Sequence, residues 1–148
     1  SHGSAGSPAN LIDGSKTPEL IPDPTAYRLF FVVLATSANA APTELSRQRA
    51  YIWRLGLVDE DAKALKDALT TFRSKYDDLI KNYNDASEVA LGQGQTPDYT
   101  AFLRQRDALV LATMEKLKAT LRSDSITRMN TFVQSEKRNM KVNVANNN

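Results

Sequence analysis

Carboxylates, tyrosines, lysines and arginines are the groups this chain offers for chemistry, because it has no cysteine and its single histidine is His2. That histidine lies in Ser1-His2-Gly3-Ser4, which reads as the remnant of an expression tag. Thiolate nucleophiles, zinc fingers, iron–sulfur ligation, His-based triads and His general bases are thereby excluded. Two carboxylate pairs remain, Glu60/Asp61 and Asp77/Asp78. Neighbouring residues on a helix point about 100° apart, so neither pair converges on one site. They are expected to form a capping turn and a solvated face. Asn82-Tyr83-Asn84-Asp85 has oxygen donors but neither the spacing nor the glycine of a calcium loop. Gly92 and Gly94 fit a hairpin tip rather than a phosphate cradle, and no Walker A, Gly-x-Gly-x-x-Gly or Gly-x-Ser-x-Gly motif occurs. The three methionines are too scattered for a copper cluster. The reading is of a protein that is not an enzyme and has no cofactor and no metal site. Three carboxylate, Tyr, Lys or Arg groups converging in one cleft would reopen that question.

Charge is spread rather than concentrated. The net charge is +2 over 148 residues, with −3 over 59–91 and +3 over 122–148. No segment has the positive density that phosphate neutralisation demands. The segment Arg47–Lys66 has the helix–glycine–helix layout of a helix-turn-helix, but its second helix would open with Asp59, Glu60 and Asp61, which repel phosphate. Nucleic acid is therefore not an expected partner. The C-terminal cations Lys137, Arg138 and Lys141 are expected in the last turn of a helix, where the dipole favours them. Arg104, Arg106 and Asp107 are expected on the outside of theirs. The longest strongly apolar run, Leu29–Ala35, is far short of the roughly 18 residues a membrane span needs.

The elements that must position any site are helices. Residues 1–23, rich in Gly, Pro and Ser, are expected to be a flexible segment, with Leu20 and Ile21 able to dock as a strap. A helical domain is expected over 24–141, followed by a disordered tail at 142–148. Asp23 before Pro24 reads as an N-cap for a central helix, Thr25 to Ser37, apolar on most sides. A second helix follows Pro42, carries Leu45, Ile52, Trp53 and Leu55, and stops at Gly56, suited to a left-handed C-cap. Trp53 and the five tyrosines are expected in the core.

The third helix has the strongest signal. From Val58 through Ala62, Leu65, Leu69, Phe72, Tyr76, Leu79, Tyr83 and Ala86 to Ala90, apolar residues alternate in steps of four and three. That is a heptad seam. Asp59 is its expected cap, and Asp59–Lys63 and Asp77–Lys81 its expected ion pairs. After Gly92–Gln95, a fourth helix carries Tyr99, Phe102, Leu103, Val110, Met114, Leu117 and Leu121. Ser123 or Ser125 is expected to cap a fifth, with Ile126, Met129, Phe132, Val133 and Met140 on one side. The fold class is thus all-α, a five-helix antiparallel bundle built on a long helical hairpin, about 59–91 and 97–121. Short helices can cover so long a hairpin only by lying end to end along it. Otherwise the seam at Tyr76, Leu79, Tyr83, Tyr99 and Phe102 stays open, as a surface for a protein partner or client, or for a second copy in a homodimer.

Leu55-Gly56-Leu57-Val58-Asp59-Glu60-Asp61, leading into a long helix, resembles the Spy/CpxP group of small all-helical periplasmic chaperones and metal-stress sensors. Their motif is Leu-Thr-x-x-Gln at a helix start. Leu121-Arg122-Ser123-Asp124-Ser125 repeats the layout. The leucines match, whereas Val58 and Arg122 replace the threonine, and Asp61 and Ser125 the glutamine. Residues 27–31 and 135–142 also look like those of exported bacterial helical proteins. The resemblance implies a non-catalytic, periplasmic or extracellular protein and transfers no site. A chaperone of this type would show apolar aromatics rimmed by Lys and Arg. The alternative is a small-ligand or metal-responsive sensor, which would need a closed apolar cavity near Trp53.

Overall fold

Prolines and one left-handed glycine set the helix boundaries in the computed structural model, which describes residues 11–37 and 39–143. The order is β1 (Leu11–Asp13), a 3-10 turn (Pro18–Leu20), α1 (Asp23–Leu34), α2 (Pro42–Leu55), α3 (Asp59–Gly92), α4 (Tyr99–Thr120), α5 (Ser123–Glu136), a second 3-10 turn (Lys137–Asn139) and β2 (Lys141–Asn143). The fold is all-α with one minimal sheet. Gly56, at φ +68°, ends α2 as a left-handed cap. Two expected caps sit elsewhere: Pro22 caps α1, and Val58 caps α3. Asp23 and Asp59 are instead the first residues of their helices, where their negative charge suits the dipole.

Helix α1 is central, packing on all four other helices. Tyr27, Phe30 and Phe31 are buried, and Phe31 meets Phe72 of α3 with ring centroids 5.3 Å apart. Val32 and Val33 remain exposed, so one flank faces solvent. The helix stops at Leu34, three residues before the expected end, where Ala35 turns extended at φ −68° and ψ 136° and the carbonyls left over find side-chain donors. Gln48 Nε2 donates to Leu34 O at 3.0 Å, and Arg73 Nη1 donates to Ala35 O at 3.3 Å.

The chain ends depart most from the reading. The flexible segment expected through residue 23 is packed from Leu11 onward. Strand β1 pairs antiparallel with β2, Ile12 opposite Val142, and Ile21 and Val142 are both buried. The helical domain is therefore bracketed by a strap, and residues 142 and 143 belong to the fold. The tag remnant at 1–4 and the rest of the expected tail lie outside the described residues. Helix α5 ends at Glu136, so Lys137, Arg138 and Lys141 do not share its last turn. Lys137, only 5% exposed, donates to Asp23 Oδ1 at 2.7 Å, while Gln134 donates to the same oxygen at 3.0 Å. These bonds tie the end of the chain to the start of α1.

Candidate functional site: the uncovered hairpin arm

Helix α3 is 34 residues long, about 50 Å at 1.5 Å per residue, whereas α1, α2 and α5 have 12 to 14 residues. The short helices do not lie end to end along the hairpin. Their core reaches Phe72 on α3 and Arg106 on α4, and no residue from 73 to 105 is buried. The outer part of the hairpin therefore projects as an arm. Its tip is closed locally: Gly94 takes φ +72°, Gln95 N–H donates to Ala90 O at 2.7 Å, and Asp98 caps α4 by accepting from Ala101 N–H at 3.0 Å.

Four of the five predicted surface residues lie together on the arm, and Tyr76 lies at its root. Tyr83, Tyr99 and Phe102 form one ring cluster, with centroids 5.2 to 5.7 Å apart. Tyr99 is 46% exposed. Leu79, Tyr83 and Phe102 line an open groove of about 460 Å³, floored near the tip by Ala86, Ala90 and Ala101. Tyr76 is part of the arm's root, stacked on Phe72 at 5.5 Å and nearly parallel. Small residues at the tip let α3 and α4 approach without supplying bulk to close the seam.

Charge on the arm is mixed in sign rather than the expected Lys/Arg rim. From 73 to 105 the arm carries Arg73, Lys75, Lys81 and Arg104 against Asp77, Asp78, Asp85, Glu88 and Asp98, a net of −1. The ion pairs run in the reverse sense to those expected. They are Lys63–Asp67 at 2.9 Å, Arg73–Asp77 at 3.1 Å and Lys81–Asp85 at 2.9 Å. The hydrogen bond to Asp85 and its charge hold the Lys81 ammonium above its ordinary range.

At the root of the arm, Arg106 is 4% exposed and bonds the Asp107 carboxylate at 3.2 Å, so it does not decorate the outside of α4 as expected. Arg28 of α1 is also buried, and burial, then the nearby Arg106 charge, push its guanidinium down in pKa. Tyr76, Asp107 and Tyr99 act the other way. Arg, Asp and Tyr thus gather here, but both guanidiniums are enclosed rather than presented to a cleft.

The carboxylate pairs do not converge. Asp61 is buried and bound to α5, Glu60 is exposed 3.7 Å from Arg122, and Asp77 pairs with Arg73. Asp61 lies in the first turn of α3 as expected, but is buried there by its bonds to Ser125 and Arg122. Trp53 departs furthest from the core reading, being 83% exposed. The space beside it is an open groove of about 860 Å³, not the closed cavity the sensor alternative needs. No group of three or more His, Cys, Asp or Glu that could hold a metal ion occurs among the described residues, and no helix there is long and apolar enough to cross a membrane. No protein-family profile, curated protein or solved structure matches the chain.

Proposed function

We propose that the chain is a non-enzymatic, protein-binding helical bundle that presents its hairpin arm to a partner or client. The observation that carries this reading is the absence of any buried residue from 73 to 105, above an aromatic cluster held half-open. An arm held out from the body costs apolar hydration unless something covers it, and such patches mark interaction surfaces. Its rim carries both signs in near balance, which suits a client with apolar side chains among mixed charges. Contacts of this kind are shallow and reversible, as chaperone-like holding requires. The resemblance of 55–61 and 121–125 to Spy/CpxP helix starts supports an exported setting, in the periplasm or outside the cell.

Aggregation of a heat-unfolded reporter enzyme, followed by light scattering, tests the binding reading. The native chain is expected to suppress scattering at equimolar ratio. A Tyr83→Ser/Phe102→Ser variant with unchanged helicity is expected to lose most of that protection. Equal protection by both, or none by the native chain, overturns the client reading. Fractionation of the native host, with sequencing of the mature N-terminus, tests export; full-length protein in the cytosol contradicts it.

A further inference from the structure

Trp53 is the largest anomaly outside the arm. An indole is rarely left open in a soluble protein without a use, and tryptophan and arginine are the residues that most often anchor interfaces. Its position follows from the Gly56 turn, where the left-handed cap directs α3 away from α2. Helix α2 packs on α1 and α5, and the inner side of the V between α2 and α3 is left open as the groove. Ile52 and Trp53 supply its apolar wall from α2, with Leu57 from the turn and Ala62 from α3.

The polar lining is mostly cationic. Arg49, Lys63 and Lys66 line the groove against one acid, Asp59. Lys63 is paired with Asp67, but Lys66 has no carboxylate partner among the described residues, and Arg49 bonds only the Ser46 hydroxyl, at 3.1 Å. Arg54 lies 5.4 Å from the Tyr51 ring centroid rather than on an acid. The groove therefore pairs an exposed apolar anchor with two cations that lack countercharge.

We infer that the Trp53 groove is a second binding surface, independent of the arm, for a short acidic segment of a partner protein. An apolar side chain of the segment packs on the indole, and flanking carboxylates meet Lys66 and Arg49. The indole N–H adds a donor for a carboxylate or carbonyl. Nucleic acid is disfavoured because two cations make no extended phosphate track, and because a single exposed ring makes a poor stacking track.

Trp53 is the only tryptophan, so its emission reports this site directly. The probe is the capped peptide Glu-Glu-Leu-Glu-Glu, titrated into the full chain. A saturable blue shift is expected, weakening with added salt. Binding of the same peptide carrying a fluorophore is expected to fall about tenfold or more in a Lys66→Glu/Arg49→Glu variant. It is expected to be unchanged in the Tyr83→Ser/Phe102→Ser variant, which separates this surface from the arm. Circular dichroism checks that each variant is folded. No shift with the peptide overturns the proposal, as does equal binding of Gln-Gln-Leu-Gln-Gln. Two other results also overturn it. One is a shift caused only by oligothymidylate or anionic vesicles. The other is a shift caused by protein concentration alone, with dimers in sedimentation, which would make the occupant a second copy.

Discussion

Asp61, in the first turn of α3, accepts the Ser125 hydroxyl at 2.5 Å, joining residues 64 positions apart. The same carboxylate oxygen accepts Arg122 N–H at 3.1 Å. Helix α5 is therefore capped from another helix, since its own N-cap, Arg122, supplies no side-chain bond. Ser123 and Ser125 both looked like local caps. Ser125 contributes instead by donating to Asp61, which leaves no unpaired hydroxyl inside the junction.

Asp61→Asn is expected to lower Tm, because a charge-assisted acceptor for two donors becomes a neutral one. Ser125→Ala is expected to lower it as well, and Ser123→Ala far less. Thermal unfolding followed by circular dichroism at neutral pH checks the order. Equal effects at 123 and 125 would contradict the cross-helix cap.

Acid should loosen two junctions together. The Ser125 hydrogen bond, with Arg122 N–H, holds Asp61 below its ordinary 3.8, and the Gln134 and Lys137 hydrogen bonds hold Asp23 below the same value. For a depressed carboxylate the stabilisation is fully present above about 3.8 and is lost as pH falls through the lower folded-state value. Denaturant midpoints are therefore expected to be flat between pH 5 and 7 from these groups and to drop below about pH 4. The drop should be smaller in an Asp23→Asn/Asp61→Asn variant, whose lower stability no longer depends on those protons.

Gly14 is a packing requirement. A Cβ there would lie 1.6 Å from Lys137 O and 2.8 Å from Met140 O, and Gly14 N–H donates to Met140 O at 2.7 Å. Because the obstacle is backbone, relief requires the strap to move. Gly14→Ala is expected to cost about 1–3 kcal/mol and to open residues 11–21 to limited proteolysis. Gly92→Ala, with nothing within 4 Å, is the control and should change neither.

Truncations along α3 should reveal where the body ends. Phe72 is buried against Phe31, so Phe72→Ala is expected to cost about 3–5 kcal/mol. Leu79 is only partly buried, in the arm groove, so Leu79→Ala should cost about 1 kcal/mol or less. Denaturant unfolding measures both; comparable losses would mean the arm is part of the cooperative core.

Periodicity and punctuation carried most of the fold. The four-three alternation from Val58 to Ala90 marks α3 to within two residues, and Gly56 marks the left-handed cap. What the sequence hides is long-range. Gly14 looks like a flexibility signal because its constraint is a carbonyl 123 residues away, in Lys137. Asp61 looks like part of a local capping turn because its donors are in α5 and just before it. Trp53 looks like core because helical spacing cannot tell which face of α2 meets α1 and α5. The arm was legible as one of two outcomes, since helix lengths alone leave open how the short helices are arranged.

Amide hydrogen exchange of the native chain, free and with the heat-unfolded reporter, tests the central claim most directly. Free protein should exchange faster over 77–101 than over 25–34 and 65–72. With the reporter, protection should appear over 76–102 and leave the body unchanged. Protection confined to the body, or no protection with the reporter held soluble, would contradict the arm as the binding surface.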